Sequence, residues 1–246
     1  MYICIEGVDG TGKTSLVAAL ANLRTDTVTY SFPAEPYRTQ IKTTVYENWR
    51  EETCVVQAGH YAHQENIFHN LLKYDIIADR GLFSFVLYQG IQHGKDLNEA
   101  GVSFDPDHFC LPNLTFILAV PKAIRKQRLG SRGEVPDHLD HFSLSTDEAF
   151  LDWDIEKLCS VVTSNQLVRY GLFDFRAFVD YNKNPLVQQN IEWYAKTNTN
   201  PVYIIEDKGI LPQNEFAKVV NQIIVELTAE YMDSLEKESL NGYVNQ

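Results

Sequence analysis

The chain predicts an α/β fold, a parallel sheet covered by helices on both faces. Three observations carry the prediction. A glycine-rich loop, Gly7-Val8-Asp9-Gly10-Thr11-Gly12-Lys13-Thr14, fits the phosphate-binding pattern G-x-x-x-x-G-K-[ST] in full. It stands between Met1-Tyr2-Ile3-Cys4-Ile5, which reads as a short apolar strand, and Ser15-Leu16-Val17-Ala18-Ala19-Leu20, which reads as the first turns of a helix. Further apolar runs with β-branched residues follow at Val28–Phe32, Ile76–Ala78, Leu114–Val120 and Val202–Ile205, with patterns of helical length between most of them. Near-continuous apolar strands separated by helices are the mark of a parallel sheet buried on both sides.

The loop sets the chemistry. Its glycines, Gly7, Gly10 and Gly12, let backbone N–H groups turn inward around a polyphosphate, and the helix N-terminus adds partial positive charge. Gly7, Gly10, Thr11, Gly12, Lys13, Thr14 and Ser15 are therefore the expected contacts of a bound nucleoside triphosphate, here ATP. Lys13 reaches the β- and γ-phosphates and the Thr14 hydroxyl meets Mg²⁺. This makes the fold one of P-loop NTPase type.

The segments that follow the other strands belong to the same sheet edge, where ligands of open α/β sheets bind. Ser31-Phe32-Pro33-Ala34-Glu35-Pro36-Tyr37-Arg38-Thr39 follows the second strand; its prolines stiffen the loop and Arg38 offers a fork to a phosphate. The third strand ends in Asp79-Arg80, where Asp79 can hold Mg²⁺ directly or through water and Arg80 can grip a second phosphate. Arg125, Arg128 and Arg132 fall on one helical face at the start of a stretch read as a lid, about residues 125–145, suited to charge developing on transferring phosphoryl oxygens. The alternative for these arginines is a solvated helix end. Residues of about 146–185, with aromatic clusters at Phe150 and Trp153 and at Phe173, Phe175 and Phe178, read as an inserted, mostly helical segment. Gln213–Leu227 is an amphipathic last helix with Phe216, Val219, Val220, Ile223, Ile224 and Leu227 on one face; the polar stretch Glu230–Gln246 is expected to fray. His60 and His63 are candidates to line a pocket, and His138 and His141, beside Asp137 and Asp140, read as a hydrated loop rather than a metal site.

Bulk properties bound the rest. A length of 246 residues suits a single P-loop domain spanning 1–246. A net charge of −12 disfavours a large nucleic-acid interface. Four scattered cysteines without a C-x-x-C pair, no place for a signal peptide and no apolar run of membrane-spanning length point to a cytoplasmic chain that binds no membrane.

In its motifs the chain resembles the thymidylate kinases, within the wider nucleoside monophosphate kinases. The resemblance rests on Ile5–Ser15, on Asp79-Arg80-Gly81-Leu82-Phe83-Ser84-Phe85-Val86-Leu87-Tyr88-Gln89-Gly90, on Pro112–Pro121, and on Arg128-Leu129-Gly130-Ser131-Arg132-Gly133-Glu134, in that order. It implies a five-stranded parallel sheet, a homodimer, and transfer of the ATP γ-phosphoryl group to a deoxynucleoside monophosphate, dTMP first, giving dTDP and ADP. It also implies roles: Asp9 accepts from the acceptor 3′-hydroxyl, Arg38 and Arg80 hold the monophosphate, and Asp79 organises Mg²⁺. Gln89 faces the pyrimidine edge, Tyr88 packs near the sugar, and Arg128 and Arg132 close over the transferring group in place of an arginine that the loop itself lacks.

Departures from the family pattern gather at the base-reading end. The helix before the Asp-Arg strand usually carries Phe-x-x-x-Arg; alignment places Gln57 and Tyr61 there, which keeps a ring able to stack on a base but no guanidinium. Phe85 stands where Ser or Asn is usual, Gly81 where an aromatic residue is usual, and His138 where the lid often has arginine. Another or a C5-modified deoxynucleotide is therefore an alternative acceptor. A deoxynucleoside kinase is a second alternative, although that family tends to Glu-Arg-Ser where this chain has Asp79-Arg80-Gly81. A nucleotide-binding switch is a third; Asn182-Lys183-Asn184-Pro185 lacks the Asp that would read guanine.

Overall fold

A computed structural model of the chain describes residues 1–131, 158–159 and 168–244. In chain order its elements are β1 (Tyr2–Glu6), α1 (Lys13–Leu23), β2 (Thr27–Ser31), α2 (Tyr37–Thr43), α3 (Trp49–Tyr61), α4 (Gln64–Asn70) and β3 (Asp75–Asp79). Then come α5 (Leu82–Phe85), which runs on as a π-helical turn through Val86–Ile91, β4 (Leu114–Ala119), α6 (Lys122–Gly130) and β5 (Arg169–Leu172). The chain closes with α7 (Phe175–Tyr181), α8 (Pro185–Thr197), β6 (Val202–Glu206) and α9 (Gln213–Val244).

The strands form one sheet in the order β2-β3-β1-β4-β6-β5. Five are parallel, as the apolar runs predict, and β5 adds an antiparallel strand on the β6 edge. This sixth strand lies inside the segment expected to be mostly helical. Its residues, Arg-Tyr-Gly-Leu, are too few and too mixed to stand out as an apolar run, and the edge position, paired on one side only, asks for less burial. β1 is the central strand, and all five of its residues are buried. Its side chains alternate between two layers. Ile3 and Ile5 pack with Leu16, Val17 and Leu20 of α1 and Phe216, Val220 and Ile224 of α9. Tyr2 and Cys4 face the opposite side with Ile76, Ala78 and Phe32.

The last helix continues to Val244, through most of the Glu230–Gln246 stretch expected to fray; Glu occurs three times and Leu twice in Ala229–Leu240, and such good helix formers sustain it beyond the part that packs. Arg132, the remainder of the lid and His138 and His141 lie outside the described residues. Among the described residues no helix is long and apolar enough to cross a membrane.

Glycine 59 sets how closely α3 approaches the loop after β2. A Cβ there would lie 2.5 Å from the Pro33 Cβ and 2.9 Å from the Tyr37 Cβ. Both are stiffly attached atoms, so Gly59→Ala forces α3 off the loop. The substitution should cost about 1–3 kcal/mol from overpacking, whereas helix propensity alone would stabilise the chain by about 1 kcal/mol. Thermal unfolding decides between the two, and a melting temperature that rises would show that the contact is loose.

Candidate active site

The loop after β1 takes the conformation that its glycines permit. Gly7, Gly10 and Gly12 have φ of 140°, 79° and 91°, and a Cβ at Gly10 would lie 3.0 Å from the Arg125 carbonyl oxygen. Lys13 opens α1 and folds back over the loop, its Nζ donating to the Val8 carbonyl at 2.8 Å. Burial, with the Arg80 charge beside it, lowers the Lys13 pKa to about 7 against the pull of Asp9, Asp79 and Glu6. The Thr14 hydroxyl donates to Asp79 Oδ2 at 2.5 Å, while Asp79 Oδ1 is buried with no hydrogen-bond partner among the described residues. A hydroxyl beside a carboxylate with an unused oxygen is the kind of donor set that a hard divalent cation takes, so these residues fit Mg²⁺.

Strand pairing brings this loop to the Asp-Arg segment. Ile5 of β1 is in register with Asp79 of β3, and Arg80 N–H donates to the Ile5 carbonyl at 3.0 Å. Arg80 has φ 74°, a left-handed backbone, and its Nη2 pairs with Asp9 Oδ1. Its Nη1 reaches Ser84 Oγ at 3.4 Å and its guanidinium carbon stands 5.1 Å from the Tyr88 ring centroid. Burial opposes ionisation of Asp9, but Arg80 and Lys13 outweigh it and hold the carboxyl below its ordinary value. Burial pushes the Tyr88 phenol up to about 12. Asp9, Lys13, Thr14, Asp79, Arg80 and Tyr88 thus meet at one place.

Arg38 stands in the first turn of α2, after the loop that follows β2, with its Nη2 donating to the Phe32 carbonyl at 3.0 Å. That loop holds two cis peptides, Phe32-Pro33 and Glu35-Pro36, and Phe32 N–H donates to the Asp79 carbonyl at 3.0 Å. Behind it His60, 2% exposed, stacks on Phe32 with ring centroids 5.2 Å apart and meets Phe85 edge-on at 5.7 Å. His63 faces the Ser31 carbonyl at 3.3 Å.

Other expected residues sit differently. Tyr61 stacks on Phe104 with centroids 5.7 Å apart and accepts the Asp105 N–H at 2.8 Å, and Gln57 donates to the Ser103 carbonyl at 2.6 Å. Both therefore turn toward residues 103–109. The α3 residues turned to the helix of Tyr88 are Trp49, Glu52 and Thr53. The Gln89 amide accepts from Thr53 Oγ1 at 2.9 Å and donates to Glu52 Oε1 at 3.2 Å, so both of its ends are occupied within the protein. The π-turn also offers the Gln89 carbonyl to the Trp49 indole N–H at 2.6 Å. Arg128 lies against the phosphate loop, donating to the Thr11 carbonyl at 2.9 Å and pairing with Asp207 at 2.7 Å. Ser15 is exposed at the start of α1. Sequence reading missed Glu6, Trp49 and Thr53; the one available signal was a carboxylate ending an otherwise apolar strand.

Fold and loop define an α/β nucleotide-binding protein of P-loop type. A family model, thymidylate kinase, matches residues 5–150. A protein of Methanospirillum hungatei named "Probable thymidylate kinase" is 30% identical over 157 residues, covering 59% of this chain and 75% of that one. A thymidylate kinase of Xylella fastidiosa is 31% identical over 152 residues, covering 57% and 68%. Among solved structures, thymidylate kinase of Ehrlichia chaffeensis aligns with a TM-score of 0.52 at 18% identity over 93% of this chain and 98% of that one. That of Candida albicans aligns with 0.55 at 15% over 93% and 92%. The chain belongs to the thymidylate kinase family and is a phosphotransferase.

His60 carries a pH signature. Burial lowers its pKa to about 3, so the folded chain keeps the ring neutral while the unfolded chain takes a proton below its ordinary 6.5. Stability must therefore fall as pH drops below 6.5, on the order of 2 kcal/mol between pH 7 and 5. Urea unfolding at the two pH values should show this loss in the native chain and much less of it in His60→Phe. Equal losses in both would assign the acid sensitivity elsewhere.

Proposed function

We propose that the chain moves the γ-phosphoryl group of ATP to a deoxynucleoside monophosphate, dTMP first, yielding ADP and dTDP. The observation that supports this reading best is the meeting of two phosphate-gripping devices at one sheet edge. The loop with Lys13 suits a donor, and Arg80 with Arg38 suits an acceptor that already carries a phosphate. A nucleoside kinase has no use for the second.

Gly7, Gly10, Thr11, Gly12, Lys13, Thr14 and Ser15 hold the donor. The polyphosphate keeps Lys13 protonated, since an added anion reverses the lowering caused by burial. Thr14 and Asp79 would hold Mg²⁺, which supplies charge neutralisation for the phosphates when bound. An oxygen of the acceptor monophosphate attacks the γ-phosphorus and the bond to the β–γ bridging oxygen breaks, leaving ADP. The attacking oxygen is already ionised, so no base is required and catalysis is positioning plus charge stabilisation. Asp9 accepts from the acceptor 3′-hydroxyl and orients Arg80, and Tyr88 packs beside the sugar. Arg128 braces the loop from outside, and Arg132, in the lid of about 125–145, supplies a further cation to the transferring group. Tyr61 and Gln89 have their polar groups engaged within the protein, so the base is met by other contacts, which keeps a C5-modified or broader acceptor range as the second reading.

The family resemblance supports a homodimer built from a single P-loop domain of residues 1–246. The four free thiols support a reducing, cytoplasmic setting. The net charge of −12 supports a reading without a nucleic-acid partner.

A coupled ADP-release assay with ATP and Mg²⁺ against dTMP, dUMP, 5-hydroxymethyl-dUMP, dCMP, dAMP, dGMP and thymidine tests the reading. Turnover with dTMP is expected, with Lys13→Met slower by about 10²–10³. Turnover with thymidine alone would make the chain a nucleoside kinase, and ATP hydrolysis indifferent to every monophosphate would end the proposal.

A further inference from the structure

We propose that Glu6 is a positioning residue for the phosphate-gripping end of the site, fixing Arg80 by capping, from the neighbouring strand, the helix that follows it. The inference rests on the reading of Arg80 as the residue that holds the acceptor monophosphate.

Glu6 is the last residue of β1 and is fully buried. A carboxyl there must be satisfied by the protein, and the contacts show how. Oε1 accepts from the backbone N–H groups of Phe83 at 3.0 Å and Ser84 at 3.2 Å, and Oε2 from the Ser84 hydroxyl at 2.6 Å. Those two N–H groups belong to the first turn of α5, where no acceptor exists within the helix. The residue before the helix is Gly81, which has no side chain to cap it. Glu6 supplies the cap from 77 positions away, and its charge suits the positive end of the helix. Gly81 leaves the room this needs, since a Cβ there would lie 2.8 Å from Cys4 Sγ and 3.2 Å from Glu6 Oε1.

The cap matters because of what lies between strand and helix. Arg80, at φ 74°, holds a left-handed backbone that a residue with a Cβ adopts at a cost. It persists because both flanks are fixed, Asp79 in the sheet and Leu82 in a helix anchored by Glu6. Ser84 closes the link, donating to Glu6 and accepting from Arg80 Nη1 at 3.4 Å. Glu6 is thus two hydrogen bonds from the guanidinium and makes no contact with it.

The test uses the full chain and two variants, Glu6→Gln and Ser84→Ala, with two readouts. One is KM for dTMP and for ATP. The other is the rate at which phenylglyoxal modifies Arg80 without nucleotide, followed by peptide mass spectrometry, with Arg24 as the internal control. Glu6→Gln should raise KM for dTMP by about tenfold, hold KM for ATP within about twofold, and speed modification of Arg80 by about fivefold with Arg24 unchanged. Ser84→Ala keeps the carboxylate and should show the same pattern at about threefold; it decides the matter if Glu6→Gln does not fold. Unchanged values, equal rises in both KM values, or faster modification of Arg24 alongside Arg80 would overturn the inference. If the native chain turns over no monophosphate, the kinase reading falls by itself, and the Arg80 rate alone decides the role of Glu6.

Discussion

The parallel pairing of β1 with β3 is the constraint on which the site depends. Each strand ends in a carboxylate, Glu6 in one and Asp79 in the other, and the register sets Ile5 against Asp79. From that single alignment follow the Thr14–Asp79 hydrogen bond, the Arg80–Asp9 pair and the bonds from Glu6 to Phe83 and Ser84. Slipping β3 by one residue against β1 would turn its side chains to the opposite faces, sending Ile77 away from α1 and α9. The apolar core thus guarantees the geometry of the charged edge, although no charged group is part of that core.

At that edge three carboxyls, those of Glu6, Asp9 and Asp79, stand among two cations, Lys13 and Arg80, in surroundings that penalise every charge. The responses differ with partners. Glu6 is pushed up by burial, because backbone and hydroxyl donors offset the loss of water only in part. Asp9 is held down because a guanidinium touches it. Lys13, whose donor bond goes to a neutral carbonyl, is the cation most weakened by burial. The chain as a whole carries −12, so its far field repels a nucleotide, and attraction must come from these local cations, the loop N–H groups and a bound divalent ion.

The parts of the fold and site that were legible in the sequence are those fixed by local chemistry. The phosphate loop, the apolar strands and the Asp79-Arg80 ending are written in residue types that have few other uses at that spacing. β5 was not legible, because an edge strand of Arg-Tyr-Gly-Leu needs little apolar content and owes its existence to pairing with β6. Which α3 residues turn to the helix of Tyr88 was not legible. Thr53, Gln57 and Tyr61 recur at i, i+4 spacing, and only contact with Gln89 for the first and with residues 103–109 for the other two tells them apart. Arg128 had the composition of a lid arginine, but the Asp207 that holds it is 79 positions away, beyond any local pattern.

The residues expected to grip the acceptor phosphate and those expected near its base are built on opposite principles, and this bears on what the proposed reaction can discriminate. The phosphate end is charged, crowded and fixed by paired groups. Away from it the packing is apolar and its polar groups are engaged: His60 is kept neutral between Phe32 and Phe85 in the core, and the Gln89 amide is satisfied by Thr53 and Glu52. A site that hydrogen-bonds a base rejects the wrong one strongly, because a mismatch leaves buried polar groups unpaired. Apolar walls discriminate by shape alone, worth about 1–3 kcal/mol for a methylene. In the proposed reaction the acceptor is therefore drawn by its phosphate, and a Gln89 amide already satisfied by Thr53 and Glu52 leaves shape as the larger part of base discrimination.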